Sequence, residues 1–167
     1  MSKWLLRGLV FAAVVVVLRL IQGALVDAFP TQAGWISPAL GLFLAVPVLV
    51  WGYLDGRSDA TAQSDPDRRA DLAMVWLLAG LVAGLLGDLV TWFIGLVYPA
   101  VYTGNLISEL TSFAAFTALL VFVAGVVAVT IGRWTVDRKA PPYERRREGD
   151  ERADTDVFAA VQPERAE

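Results

Sequence analysis

"VVVVLRLIQGALVDAF", Val14–Phe29, is an apolar run interrupted by a single arginine, Arg19. Whether that arginine lies in a soluble core or in lipid depends on how apolar the rest of the chain is. Of the 167 residues, 56% are hydrophobic and only 19% charged, and the apolar ones fall in long blocks. That is the distribution of a membrane protein. Four blocks reach the roughly 17 to 25 residues that span a bilayer's hydrocarbon core: Trp4–Val26, Trp35–Leu54, Leu72–Tyr98 and Ser112–Trp134. The sequence therefore predicts an all-α polytopic membrane protein, with four transmembrane helices arranged as two hairpins in one domain over residues 1–134.

The first block contains Arg19, is too long for a signal peptide, and lacks a small-x-small cleavage site before Pro30, so it is expected to stay in the mature chain. Arginine and lysine placement orients the spans. The loops Asp27–Gly34 and Pro99–Thr111 contain neither residue. Lys3 and Arg7, then Arg57, Arg68 and Arg69, then Arg133, Arg138 and Lys139 flank the opposite helix ends. Positive charge near helix ends resists translocation, so the expectation is a multi-pass protein of the cytoplasmic membrane with both termini in the cytosol. Residues 135–167 carry both charge signs and a Pro-Pro pair, the composition of a disordered cytoplasmic tail.

Cysteine and histidine are absent, which removes disulfides, thiolate nucleophiles, imidazole bases and the usual zinc and haem ligands. No enzyme chemistry, metal or cofactor is expected. A net charge of −3, with Arg145–Arg147 set among Glu144, Glu148, Asp150 and Glu151, also argues against nucleic acid as a partner.

Local signals mark the helix ends. "ISPAL" offers Ser37 as N-cap with Pro38 at the first helical position, and "SDPDRRADLAM" offers Asp65 with Pro66. Pro47 inside the second block predicts a kink. Trp4, Trp35, Trp51, Tyr53, Trp76, Tyr98, Tyr102 and Trp134 fall near block ends, as an interfacial aromatic belt does, whereas Trp92 lies deeper.

Small residues stripe one face of each helix: Gly8 and Ala12 on the first; Gly41, Ala45 and Gly52 on the second; Gly80, Gly84 and Gly95 on the third; Ala114, Ala118, Gly125 and Gly132 on the fourth. Such stripes let backbones approach where lipid removes the ordinary hydrophobic drive between helices. They serve packing within one chain, and a parallel homo-oligomer is the further use considered. The two hairpins also share a faint likeness, each with an aromatic-Pro step after the odd helix and a Gly, aromatic, Asp and Arg cluster after the even one, which would make any duplication parallel rather than inverted.

At about 1.5 Å per residue, Arg19 on the first helix and Asp88 on the third both lie roughly 22 to 24 Å from the arginine-flanked end. They are opposite in sign, and both sit on small-residue faces, with Gln22 one turn beyond Arg19 as a further donor and acceptor. Three readings are open: a structural ion pair, a proton or substrate site at Asp88, or an Arg19 that snorkels to the headgroups.

"MSKWLLRGLVFA", "FPTQAG", "DPDRRADLAMVWLLAGLVAG" and "YTGNLISELTSFAAFTALLVF" resemble a family of short actinobacterial membrane proteins grouped as bacterial four-helix drug/metabolite transporters. The resemblance covers roughly Met1–Lys139. It implies transport of a small molecule, with no catalytic motif to carry over. The chain departs from better-understood four-helix multidrug exporters, which resemble one another in placing an embedded glutamate in the first helix, where this chain has Arg19. Two expectations follow: a small transporter of the drug/metabolite type working as an oligomer, its substrate unidentified, or a non-transporting membrane subunit or assembly factor of a larger envelope complex.

Overall fold

A computed structural model describes residues 2–98 and 105–140. It is an all-α bundle of four helices, each long and apolar enough to cross a membrane. The first helix runs over Lys3–Ala28 and the second over Ala33–Ala62. The third covers Leu72–Gly95 and the fourth Leu106–Asp137, the latter passing through a π-helical stretch at Glu109–Phe113 before continuing as α-helix from Ala114. Most of the tail expected to be disordered, from residue 141, lies outside the described residues, as does Tyr102. The part of that tail up to Asp137 is helical.

Three local readings differ from the sequence expectation. Ser37 does not cap the second helix: a 3-10 turn at Pro30–Gln32 leads into Ala33, so Ser37 and both Pro38 and Pro47 fall inside the helix. That helix also continues eight residues past Leu54, because hydropathy marks the end of the hydrocarbon core and not the end of the helix, and because Gly56 and Ala60 on the polar extension are themselves buried. Asp65 caps only a 3-10 turn at Pro66–Arg68, accepting from the Asp67 amide; Asp71 caps the third helix, accepting from the amide of Met74. The chain breaks between the two because Arg69 and Ala70 are engaged by the second and fourth helices, as described below.

Packing follows the glycines. A Cβ placed on Gly84 would meet the carbonyl of Ala114, and one on Gly80 the carbonyl of Ala118, so the third and fourth helices run antiparallel in near backbone contact. Gly52 faces Gly125 and Ala128, Gly56 faces the backbone of Val129, and Gly132 faces Tyr53, which sets the second and fourth helices parallel. Gly8 against Val82 and Gly87 against Val15 set the first and third parallel as well. The first and second helices, though consecutive in sequence, touch far less than do the first and third, the second and fourth, or the third and fourth. The second hairpin is thus closed and the first splayed.

Two of the stripe glycines behave otherwise. A Cβ on Gly41 would meet nothing within 4 Å, so this glycine borders open space. Gly95 is the last, half-buried residue of its helix. Trp76 also departs from the expected belt. It is fully buried, with its ring against Gly125 and 5.9 Å from that of Phe11, which in turn lies 5.9 Å from Trp51. Trp35, 82% exposed, and Trp134 lie on the outer surface of the bundle.

Replacing Gly84 with valine drives a side chain into the Ala114 backbone, which cannot yield as a flexible side chain would. Gly84→Val is expected to lose about 1–3 kcal/mol or more, read as a lower thermal unfolding midpoint in mild detergent. Gly34→Ala, where nothing lies within 4 Å, is the control and should hold or slightly raise the midpoint. A Gly84→Val protein unfolding with the parent would contradict this packing.

Candidate functional site

The parallel register of the first and third helices carries Arg19 to Asp88. Arg19 Nε lies 3.9 Å from Asp88 Oδ1, an ion-pair separation longer than a direct hydrogen bond between those two atoms. The side chains are 13% and 1% exposed. The guanidinium also stacks over the ring of Phe113, 4.4 Å from its centroid, where Arg19 gains a cation–π contact. Phe113 ends the π-helical stretch of the fourth helix. Such wide turns shift side chains relative to a regular α-helix and recur at functional sites.

Beside the pair is a cavity of about 140 Å³ to which all four helices contribute. Its walls are mainly apolar, with Leu40, Leu44, Phe116 and Leu120 among them, and it exists because the splayed first hairpin leaves space at Gly41. Gln22 lines the same cavity, but its Nε2 donates to Ser37 Oγ at 2.9 Å and so ties the first helix to the second beside it. Thr117 adds a buried hydroxyl. The structure therefore brings Arg19, Asp88 and Gln22 to one cavity. Gly41 joins them as a wall residue, while Gly52, Gly80, Gly84 and Gly125 sit at helix contacts away from it.

A second charged region occupies the other end of the bundle. Arg7 is buried and forks onto Asp55, Nε to Oδ2 at 2.9 Å and Nη2 to Oδ1 at 2.7 Å, while Nη1 donates to the carbonyl of Lys3. The Trp51 and Trp76 rings each lie 5.8 Å from its guanidinium. Arg133 reaches Asp59 at 2.6 Å and donates to the Ala70 carbonyl, while the Ala70 amide donates to Asp59. Arg69 forks onto Asp137 at 2.8 and 2.6 Å. Residues that serve in the sequence only as orientation markers thus pin the first helix to the second, the second to the fourth, and the linker after the second to the fourth.

The chain matches no protein-family model and no curated protein sequence. The site must be read from its own geometry.

Sequence reasoning missed Arg7–Asp55, although the signal was available: the two residues lie at similar depth from the same end, the argument that pairs Arg19 with Asp88. Phe113, Ser37 and Thr117 had no such signal, because neither the π-helical stretch nor the gap at Gly41 is encoded in hydropathy. Chemically, the arrangement presents donors and acceptors of both signs to an apolar chamber.

The fork of Arg7 fixes a further outcome. Lysine keeps the charge but cannot bond Asp55 in bidentate fashion or stack as a plane, so Arg7→Lys is expected to lose about 1.5–3 kcal/mol, the worth of one charged hydrogen bond. The measurement is the unfolding midpoint in detergent. Arg57→Lys, at an exposed position whose guanidinium lies 5.8 Å from the Tyr53 ring, should leave it unchanged. Equal midpoints for both variants would show that the Arg7 fork contributes nothing.

Proposed function

We propose that the chain is a small-molecule transport protein of the drug/metabolite type, seated in the cytoplasmic membrane with its termini in the cytosol and working as a parallel homo-oligomer. The observation that supports this most is the cavity: an ion pair deep in an apolar bundle, next to open space bounded by four helices. Ionisable side chains inside a membrane domain are costly, and those that face a cavity characteristically belong to a substrate or ion path. The family resemblance points to the same class. Strong arginine bias at one end supports a single orientation, and hence a parallel assembly. Four helices alone leave little room for a chamber that opens alternately to both sides, which is the reason for an oligomer.

A non-transporting subunit of a larger envelope complex is the second reading. It is favoured by the arginine end, where three Arg–Asp contacts restrain the helices from rocking past one another. The two readings differ in whether water reaches the cavity from both sides.

The absence of cysteine makes this measurable. In Thr117→Cys the thiol replaces a buried hydroxyl on the cavity wall. Transport predicts that it reacts with charged, impermeant methanethiosulfonates added to right-side-out vesicles and, separately, to inside-out vesicles. Reaction from neither side would favour the subunit reading, and reaction from one side alone would contradict alternating access.

A further inference from the structure

We propose that the cavity takes an uncharged amphiphile about the size of one substituted ring, its apolar body among the leucines and phenylalanines and its polar group against Arg19 and Asp88. This deepens the transport reading and rests on it for the role of the cavity, by naming the class of molecule moved.

Size comes first. About 140 Å³ is close to the roughly 150 Å³ of an engineered apolar cavity that holds benzene, and far below the several hundred Å³ of a drug-sized pocket. One ring or a short branched chain fills it.

Close contact between the second and fourth helices is made by Gly52, Gly56, Gly125 and Gly132, all toward the arginine end. Toward the other end, the cavity wall on the fourth helix is formed by Phe116, 63% exposed, and Phe113, and the wall on the second by half-buried Leu40 and Gly41. Exposed apolar residues of a membrane bundle face hydrocarbon where no second copy covers them, and on this reading the oligomer contact lies elsewhere, so the chamber meets the lipid side of the bundle. A molecule arriving through hydrocarbon arrives without charge, because desolvating an ion there is prohibitive.

The charges lining the cavity favour the same class of ligand. The cavity's described charged lining residues are one cation and one anion 3.9 Å apart. A charged ligand would attract one and repel the other. A hydroxyl or amide, which both donates and accepts, is compatible with a guanidinium and a carboxylate at once and leaves their pairing intact.

The test uses the full chain in lipid nanodiscs and three ¹⁹F NMR probes on one ring: 4-fluorobenzyl alcohol, 4-fluorobenzylammonium and 4-fluorobenzoate. Saturable binding above that of empty nanodiscs should be seen for the alcohol, about tenfold or more tighter than for either ion, the equivalent of one decade in Kd. Gly41→Leu adds a side chain at a lining residue of the cavity, where an added Cβ meets no neighbour, and should abolish the saturable signal while the unfolding midpoint holds. Should that variant fail to fold, Gly41→Ala, with a smaller graft into the same space, should weaken binding measurably. An ion that binds as tightly as the alcohol, binding indifferent to both Gly41 variants, or no saturable binding of any probe would overturn the proposal. Binding of the alcohol without two-sided reactivity at Thr117→Cys would retire transport and keep the ligand class. Two-sided reactivity without preference for the alcohol would do the reverse.

Discussion

A guanidinium and a carboxylate held within 3.9 Å of each other inside a membrane bundle constrain everything around them. Lipid offers no water to solvate either group, so each depends on the other and on whatever polar or aromatic surface the helices supply. Arg19 and Asp88 come from the first and third helices, and their meeting requires that those helices run parallel in one register. Gly8 and Gly87 give that register by letting Val82 and Val15 sit directly on the opposing backbone. Phe113 completes the setting, and reaches it from a π-helical turn rather than a regular one.

The same logic accounts for the asymmetry of the bundle. If the two hairpins were equivalent, the first and second helices would approach as the third and fourth do. They do not: Gly80 and Gly84 close the second hairpin onto alanine carbonyls, while Gly41, in the first, faces open space. The arginine end is fastened by Arg7–Asp55, Arg133–Asp59 and Arg69–Asp137, so the slack collects at the far end, beside the ion pair. A chamber there is a consequence of where glycine packs tightly and where it does not. On the transport reading, this slack is the part of the molecule with room to move.

The architecture was legible because four apolar blocks of bilayer-spanning length leave a polar-starved chain few alternatives to helices. Arg19 and Asp88 were legible for a related reason: rise per residue converts sequence position into depth, and opposite charges at one depth find each other. What escaped was set by side-chain surroundings. Trp76 reads as interfacial from its place in a block, yet Gly125 and Phe11 make a buried slot for it. Asp65–Pro66 is a sound helix start in isolation, but Asp59 and Arg133 hold the Ala70 backbone and postpone the helix to Leu72, with Asp71 as its cap. Gly41 and Gly84 are alike in sequence, and only the neighbouring helix decides that one packs and the other borders a cavity.

The central claim is that Arg19 and Asp88 stabilise each other, and a double-mutant cycle measures it directly. Removing one member of a buried pair takes the opposite charge away from the other, at a typical cost of about 3–5 kcal/mol that its remaining contacts, snorkelling or water can blunt. The measurement is the unfolding free energy in detergent or bicelles of Arg19→Leu, Asp88→Leu and the double variant. The account predicts a marked loss for each single change and recovery of much of it in the double, giving a coupling energy well above the about 0.5 kcal/mol scatter of independent sites. Additive effects, or single variants as stable as the parent, would contradict it.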